Sequence, residues 1–232
     1  MQNSESSKYS ASIIGASGLI GSQVLNLLLA DTRCERVSIF VRKPMPVQHA
    51  KLSQHVINFD DEKTWAHLVN TSHLFSCLGT TKDQVKSEAE YRKIDYDYPV
   101  HFANAGLKNG LEQILLISSA GADTKSSVFY LRLKGELEES MKKLPLQGLH
   151  IFRPSVLIGE RKNSRFGEWF FTVIKFLFIG PIRQYKPVDS LKVAQMMVAT
   201  AAKSEKGIHL YNNTDILDFN RLSCFRTMLI LL

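Results

Sequence analysis

Residues 13–21 have the sequence Ile-Ile-Gly-Ala-Ser-Gly-Leu-Ile-Gly, and this stretch decides the fold. Gly15, Gly18 and Gly21 stand at GxxGxxG spacing between an apolar, strand-like run and the start of a helical pattern. In a dinucleotide-binding turn, the first glycine allows the bend, the second admits a pyrophosphate, and the third lets helix and strand pack closely. The free N–H groups of the following helix favour phosphate. The stretch therefore predicts a cofactor loop, and it lacks the GK[ST] ending of a nucleoside-triphosphatase P-loop.

The rest of the chain alternates short apolar runs with longer helical patterns, which is typical of a parallel sheet built from βαβ units. The predicted strands are Ser10 to Ile14, Arg36 to Val41, Val56 to Phe59, His73 to Cys77, Gln113 to Ser118 and Leu149 to Arg153. The predicted helices are Leu19 to Leu29, Lys63 to Leu68, Glu88 to Asn109, Tyr130 to Lys143 and Leu191 to Lys203. The pattern predicts an α/β fold with a doubly wound parallel sheet of the Rossmann type. We expect a single domain over residues 1–232, in which residues from about 155 to 232 form a small substrate-covering portion.

Composition excludes several classes of protein. The 232 residues are 44% hydrophobic, enough for a buried core. The net charge of +7 comes from scattered cations rather than a basic block, so no nucleic-acid partner is predicted. Three cysteines without a CxxC predict neither disulfides nor a metal site. The longest apolar run, residues 169–179, is too short to span a bilayer and contains Lys175, so no stable membrane insertion is predicted. No signal peptide is present, and cytoplasm is the expected location.

Two cations lie at the position that distinguishes NAD-binding from NADP(H)-binding proteins. Enzymes that use NAD keep an acid at the end of the second strand, about 20 residues after the glycine motif, to bind the ribose hydroxyls. Here Arg42 and Lys43 occupy that position. A guanidinium can bind a 2′-phosphate through two hydrogen bonds and an ammonium adds charge, so the pair favours NADP(H). Asp60, after the third predicted strand, is a candidate for contact with the adenine or for a helix N-cap.

A reductase-type site is predicted further along the chain. Tyr130 and Lys134 are four residues apart, which places both on one face of the predicted helix. A phenol is a weak acid with an ordinary pKa of about 10, and a neighbouring ammonium favours its ionised form. Ser118 and Ser119 end the preceding strand, and either hydroxyl could bind a reacting oxygen. The sequence thus indicates a catalytic group of serine, tyrosine and lysine.

Several motifs together resemble the Tat-interacting-protein oxidoreductases, a family of atypical short-chain dehydrogenases/reductases that bind NADPH. The resemblance runs from about Ile13 to Val198. It is carried by GASG at residues 15–18, Arg42-Lys43, CLGTT at residues 77–81, DYDY at residues 95–98, SSAGAD at residues 118–123, YLRLKGE at residues 130–136, FRP at residues 152–154 and SRFGEW at residues 164–169. Residues 221–232 do not resemble the family, and they are either a docked last helix or the product of a shifted reading frame.

The resemblance implies a role for individual residues. Tyr130 would be the proton donor or acceptor, Lys134 would hold both it and the nicotinamide ribose, and Ser119 rather than Ser118 would be the catalytic serine. The implied cofactor contacts come from the phosphate loop (Ser17, Gly18, Leu19, Ile20), the second strand (Arg42, Lys43), the fourth strand (Leu78, Gly79) and the C-terminal portion (Leu157, Arg165). Cys77 is interpreted as a packing residue rather than a nucleophile.

The sequence therefore favours an NADP(H)-dependent oxidoreductase that reduces a carbonyl or quinone-like small molecule. A second hypothesis is a regulatory protein that binds NADP(H) as a redox sensor and contacts protein partners without turnover. The serine, tyrosine and lysine weigh against it, because a sensor does not need a proton donor. A third hypothesis is an epimerase or dehydratase of the extended class, for which the C-terminal third offers no sugar-nucleotide motif.

Overall fold

A seven-stranded, entirely parallel sheet lies at the centre of the computed structural model, which describes residues 8–80, 85–158 and 185–219. Its strands are β1 (Tyr9–Ile14), β2 (Cys34–Val41), β3 (Leu52–Val56), β4 (His73–Ser76), β5 (Gln113–Ile117), β6 (Gly148–Arg153) and β9 (Gly207–Asn212). Two short strands, β7 (Leu157–Ile158) and β8 (Val188–Asp189), pair separately. The order across the large sheet is β3-β2-β1-β4-β5-β6-β9. The chain thus winds outward from β1 and then crosses to β4, which confirms the predicted doubly wound Rossmann class.

Helices cover both faces of the sheet. They are α1 (Leu19–Ala30), α2 (Glu62–Trp65), α3 (Glu88–Arg92), α4 (Tyr98–Lys108), α5 (Phe129–Lys142) and α6 (Ser190–Ala201). Strands β1, β4 and β5 are almost fully buried, as expected for parallel strands covered on both sides. One apolar cluster packs α1 and α6 against the sheet, and the other packs α4 and α5 against its opposite face. In the second cluster the rings of Trp65 and Phe102 stack 4.0 Å apart.

The carboxyl ends of all these parallel strands meet at one edge of the sheet. Strands β1 and β4 are hydrogen-bonded neighbours, although the chains leaving them run to opposite sides. In a doubly wound sheet the crevice at such a switch point is where ligands bind. The turn after β1 and the loops after β4 and β5 all open at this crevice, so the topology gathers the predicted site residues there.

The third strand lies earlier than predicted. The sequence favoured Val56 to Phe59, whereas β3 is Leu52–Val56. Because β3 is an edge strand, it tolerates polar residues such as Ser53 and Gln54, and this removed the apolar signal expected of a buried strand. Phe59, whose apolar side chain suggested the later position, lies in the loop that follows β3 and is buried in the second core cluster.

The C-terminal portion contributes more to the core than expected. Strand β9 was not predicted, yet it extends the main sheet beside β6, and α6 packs against the core that α1 covers. Residues 190–212 therefore form part of the central sheet and its core, and the substrate-covering role expected of residues from about 155 to 232 stays a prediction. Residues 213–219 are helical. Arg165 and residues 169–179 and 221–232 lie outside the described residues, so their expected roles stay predictions.

The long helix predicted over Glu88 to Asn109 is present but not uniform. Helices α3 and α4 are joined by a π-helical segment, Lys93–Asp97. The helix ends at Asn109, and Gly110 follows with a φ of +90°, as the Asn-Gly pair indicated. A π segment accommodates one residue more than an α-helical turn, and such segments occur frequently at functional sites.

Two negative findings apply to the described ranges alone. Within residues 8–80, 85–158 and 185–219, no helix combines the length and apolar character that crossing a bilayer requires. The same ranges contain no cluster of three or more histidine, cysteine or acidic side chains arranged to hold a metal ion.

Two buried histidines make the fold sensitive to acid. His73 on β4 and His150 on β6 are almost fully buried, and burial lowers the pKa of each to about 4. In the unfolded chain a histidine has a pKa of about 6.5, so the unfolded state takes up protons first as the pH falls. Their contribution to stability is therefore complete above pH ~6.5 and is lost progressively toward pH ~4. We expect the free energy of unfolding to fall by roughly 1–2 kcal/mol for each histidine between about pH 7 and pH 5.

Urea unfolding at the two pH values measures this loss. The variant His150→Phe keeps a ring in the stack with His209 but cannot be protonated, so its pH dependence should be shallower than that of the wild type. His49→Gln, at an exposed histidine, is the matched control and should keep the wild-type dependence. Equal stability of the wild-type protein at the two pH values would contradict the prediction.

Candidate functional site

The turn after β1 needs glycine at two positions. Gly15 has a φ of +82°, and a Cβ placed there would lie 2.5 Å from the carbonyl oxygen of Cys77. A Cβ on Gly21 would overlap the carbonyl oxygen of Gly15. The first clash would separate the turn from β4, and the second would push α1 away from the turn. Both glycines therefore hold the turn, the helix and the neighbouring strand at close approach.

The N-terminus of α1 is left open to a ligand. Gly18 is the N-cap, and no side chain caps the helix there. Ile20 is buried with 6% exposure, so only its backbone N–H can face a ligand, while Ser17 is exposed. A 12-residue helix with an uncapped first turn directs N–H groups and a positive dipole end into the crevice. These features fit a pyrophosphate group at Ser17, Gly18, Leu19 and Ile20.

Arg42 and Lys43 extend this positive region. They directly follow the last residue of β2, which pairs with β1, and both are exposed. Neither makes an ion pair or a hydrogen bond within the described ranges. Two exposed cations that pair with no acid among the described residues fit an anionic group such as the 2′-phosphate of NADP(H).

Asp60 does not cap a helix, since the N-cap of α2 is Asp61. Its Oδ1 accepts a hydrogen bond from the Tyr98 hydroxyl and pairs with the Lys93 ammonium, each over 2.7 Å. These contacts hold the carboxylate at the carboxyl edge of the sheet. The N-cap interpretation is therefore wrong, and a contact between Asp60 and the adenine stays a prediction.

The two adjacent serines after β5 have different partners. The Ser118 hydroxyl donates to Glu138 on α5, and Arg153 at the end of β6 donates to both oxygens of the same carboxylate over 2.8 and 2.6 Å. Ser118 is thus part of a buried structural network. The Ser119 hydroxyl instead contacts the Tyr130 phenol and the carbonyl oxygen of Ala120. Consecutive side chains of extended backbone point in opposite directions, so this strand end presents Ser119 to the site.

Tyr130 and Lys134 lie on one face of α5, as their spacing predicted. The Lys134 ammonium is 6.0 Å from the centre of the Tyr130 ring. Burial raises the pKa of the Tyr130 phenol; Lys134 and Ser119 oppose this rise, and Asp95 adds to it. Lys134 favours the ionised form, as the sequence analysis expected, but burial has the larger effect and the net change in the phenol's pKa is upward. Lys134 itself is charged, since Asp95 and Tyr130 raise its pKa against the opposing effect of burial.

Asp95 belongs to the site, although the sequence assigned it no role beyond a family motif. It is fully buried, and its Oδ1 lies 3.0 Å from the Lys134 Nζ in an ion pair. The other carboxylate oxygen, Oδ2, accepts a hydrogen bond from the Thr80 N–H over 2.8 Å. An acid in a helical pattern ordinarily faces solvent. The π segment Lys93–Asp97, which places Asp95 inward, is not evident from residue spacing.

The loop after β4 lies between the phosphate loop and Asp95. The Tyr91 hydroxyl donates to the carbonyl oxygen of Thr80 over 2.8 Å, which fixes the end of this loop. Leu78 is partly buried against the second core cluster, and Gly79 is exposed at the crevice. Burial raises the pKa of the Cys77 thiol to about 12. Since a thiolate is the nucleophilic form, this supports the interpretation of Cys77 as a packing residue.

Of the two predicted cofactor contacts from the C-terminal portion, only Leu157 is described. It lies on β7, is partly buried against the first core cluster, and pairs with Val188. Its contact with a cofactor stays a prediction.

Comparison with known proteins gives a family. The family model described as HIM1 matches residues 39–175. The chain is 33% identical over 207 residues to "Protein FMP52-1, mitochondrial" of Scheffersomyces stipitis, covering 85% of this chain and 91% of that protein. It is 32% identical over 161 residues to "Protein HTATIP2" of Rattus norvegicus, covering 68% of this chain and 66% of that protein. The rat protein agrees with the Tat-interacting-protein resemblance found in the sequence motifs.

The predicted cytoplasmic location is overturned by these relatives. The fungal proteins from Scheffersomyces stipitis, Coccidioides immitis and Candida albicans are all named as mitochondrial. The prediction rested on the lack of a signal peptide, which bears on secretion and does not distinguish the compartments inside a cell.

Solved structures with the same fold are nucleotide-sugar enzymes. A UDP-N-acetylglucosamine 4-epimerase from Methanobrevibacter ruminantium superposes with a TM-score of 0.66 at 15% identity, covering 89% of this chain and 77% of that one. DesIV, a dTDP-glucose 4,6-dehydratase from Streptomyces venezuelae, gives 0.67 at 14% identity, covering 87% and 74%. Identities this low establish the fold and not the reaction.

The Glu138–Arg153 pair should matter for stability. Glu138 is 1% exposed and Arg153 22%, so Glu138→Gln leaves a largely buried guanidinium without its counter-charge. We expect a loss of roughly 3 kcal/mol in the free energy of unfolding, at the low end for a broken buried pair because Arg153 keeps some contact with water. Urea unfolding measures it.

The next residue on α5 is the matched control. Glu139 pairs with Lys142 on the surface, and Glu139→Gln should change the free energy of unfolding by no more than about 0.5 kcal/mol. Similar losses of unfolding free energy in the two variants would show that the buried network with Ser118 and Arg153 stabilises the protein no more than the surface pair does.

Proposed function

Because the chain belongs to the HIM1 family, we propose that it is an NADP(H)-dependent oxidoreductase of the short-chain dehydrogenase/reductase type. Its substrate would be a carbonyl or quinone-like small molecule. The observation that carries the proposal is the convergence of Ser119, Tyr130 and Lys134 at the carboxyl edge of the sheet. A proton donor, its hydroxyl partner and a buried ammonium at one place are what carbonyl reduction requires of a protein.

The crevice fits NADP(H) in three respects. Gly15 and Gly21 allow β4, the turn after β1 and α1 to approach closely, and the first turn of α1 offers uncapped N–H groups for the pyrophosphate. Arg42 and Lys43 would bind the 2′-phosphate. Lys134 would hold the nicotinamide ribose, with Leu78 and Gly79 beside it.

The protein's part in the reaction is proton transfer and orientation. Bound NADPH would supply a hydride to the carbonyl carbon. The Tyr130 hydroxyl would give its proton to the carbonyl oxygen, and Ser119 would donate a hydrogen bond to the same oxygen. The Lys134 ammonium would stabilise the phenolate that remains. In the oxidative direction the same phenolate would take the proton back.

The proposal also covers the cellular context. By the names of its fungal relatives, we propose that the protein works in mitochondria. We propose a small-molecule substrate and no nucleic-acid partner or stable membrane insertion; contacts with protein partners remain compatible with the family.

Cofactor choice should depend on Arg42. NADPH should bind more tightly than NADH, and Arg42→Ala should remove most of this difference, because charge-assisted phosphate contacts are lost. The expected cost is about 1.5–3 kcal/mol for NADPH and little for NADH, which has no 2′-phosphate. Calorimetric titration of both cofactors measures it.

Arg36→Ala is the control for this experiment. Arg36 is an exposed arginine at the opposite end of β2, where its side chain donates to the carbonyl oxygen of Asn70. Its removal lowers the net charge equally and should leave the preference intact. Equal affinities of the wild-type protein for NADPH and NADH would overturn the proposed cofactor.

Turnover should depend on the Tyr130 hydroxyl. Tyr130→Phe removes one oxygen, so the fold and the NADPH dissociation constant should be retained while kcat falls by about 10²–10⁴-fold. Lys134→Ala should weaken both kcat and cofactor binding, because both of its roles are lost. A cofactor-oxidation screen with a panel of carbonyls and quinones comes first, followed by kcat and dissociation constants for each variant.

Tyr96→Phe controls for the loss of a hydrogen-bonded phenol outside the site, since the Tyr96 hydroxyl pairs with Ser140. It should keep full turnover. If Tyr130→Phe also keeps full turnover, the reductase mechanism is wrong and a redox sensor without turnover becomes the better hypothesis.

A further inference from the structure

A buried carboxylate sits beside the lysine of the proposed catalytic group. Asp95 and Lys134 are 0% and 3% exposed, and their charged atoms are 3.0 Å apart. A pair this deeply buried is costly to form, because each charge loses its hydration. The mechanism above needs the ammonium but gives the carboxylate no task, so its presence requires an explanation.

We propose that Asp95 is a positioning residue that fixes the Lys134 ammonium and counters its positive charge at Tyr130. This inference rests on the proposed function. It adds a fourth member to the group of Ser119, Tyr130 and Lys134, contributed by the π segment Lys93–Asp97 rather than by β5 or α5.

The contacts of Asp95 support the positioning role. A lysine side chain has many rotamers, and only a fixed partner holds its ammonium in one place. Asp95 is itself fixed, because its Oδ2 accepts the N–H of Thr80 in the loop after β4. A Cβ on Gly79 would lie 3.8 Å from Oδ1, so this oxygen is within van der Waals distance of the loop. Lys134 is therefore positioned relative to the loop that borders the cofactor crevice.

The charges around Tyr130 support the second role. The Lys134 ammonium favours the phenolate, and the Asp95 carboxylate disfavours it. Among the described residues, the other side chains that act on this pair and on the phenol include Ser119 after β5, Tyr91 on α3 and Glu138 on α5. Tyr91 and Ser119 are neutral, and Glu138 is already paired with Arg153. Asp95 is thus the carboxylate placed to offset the lysine.

The consequence is a tyrosine that keeps its proton at working pH. Burial already raises the pKa of the Tyr130 phenol, and an ammonium without a counter-charge would reverse part of that rise and favour the phenolate, which cannot act as an acid. With Asp95 present, the ammonium still stabilises the phenolate formed in the reaction but does not remove the proton beforehand. The pair therefore suits the reductive direction, in which Tyr130 must start protonated.

The test is the ionisation of Tyr130 in the protein without cofactor or substrate. The ultraviolet absorbance of tyrosinate is followed against pH, and the same titration of Tyr130→Phe is subtracted to isolate Tyr130. Asp95→Asn keeps the size of the side chain and removes its charge. We expect Tyr130 to ionise about 1 pH unit or more lower in this variant, the size of effect that a charge at this range exerts. The basic limb of kcat/KM for reduction should move down by the same amount.

Asp97→Asn is the matched control, since it removes a carboxylate from the same π segment and should leave the ionisation of Tyr130 unchanged. Asp95→Glu retains the charge and should stay close to the wild type. Unchanged ionisation in Asp95→Asn would overturn the proposal. Because unfolding in alkali would expose Tyr130 and also lower its apparent ionisation pH, circular dichroism at each pH confines the comparison to the range in which every variant is folded.

A second variant keeps the test decisive if Asp95→Asn does not fold. Lys134→Met/Asp95→Asn replaces both charges with neutral groups, a change that buried pairs often tolerate. If the two charges offset each other at Tyr130, its ionisation in the double variant stays near the wild type. A move to clearly higher pH would show that Lys134 acts uncompensated, and this would overturn the proposal. Absence of turnover with every carbonyl and quinone would count against the proposed function, whereas the titration would still report on Asp95.

Discussion

The close approach of Gly15 to the carbonyl of Cys77 is the constraint on which the site depends. It brings the turn after β1 against the loop after β4 at the point where the sheet reverses its winding. From that loop, the Thr80 N–H binds Asp95, and Asp95 pairs with Lys134 on α5. A single series of contacts thus runs from the glycine turn after β1 to Lys134, beside Tyr130. A side chain at Gly15 would break it at its first member.

Helix α5 carries two buried ion pairs with different tasks. Lys134 faces Asp95 and the phenol, and Glu138, one turn further on, faces Arg153 and Ser118. The second pair ties the ends of β5 and β6 to the helix, and this determines which of the two adjacent serines reaches the site. The Glu138–Arg153 pair and the Lys134–Asp95 pair therefore lie one helical turn apart on α5, and both consist largely of buried charges.

Much of this arrangement could be predicted from the sequence because it follows from local patterns. GxxGxxG spacing, apolar strand runs and the separation of Tyr130 from Lys134 each reflect the geometry of a single element. The predictions failed where neighbours in space decide the outcome. Edge strands β3 and β9 are too polar or too exposed to stand out, and the inward position of Asp95 follows from a π segment that residue type does not reveal. Which serine serves the site depends on Glu138, 20 residues away. The cellular compartment was mistaken because no physical property of the folded domain records it.

The π segment has a consequence for how the length of this chain can change. Successive residues of an α-helix are rotated by about 100° about its axis. The extra residue in Lys93–Asp97 therefore changes the direction in which the side chains after the segment point, relative to those before it. Removing one residue there would restore a regular helix and rotate either Asp95 away from Lys134 or Phe102 out of its stack with Trp65. Asp95 in the site and Phe102 in the core therefore require different rotational positions about the helix axis, and the π segment provides the change between them. We therefore expect the segment between Tyr91 and Phe102 to reject the insertions and deletions that surface loops accept readily.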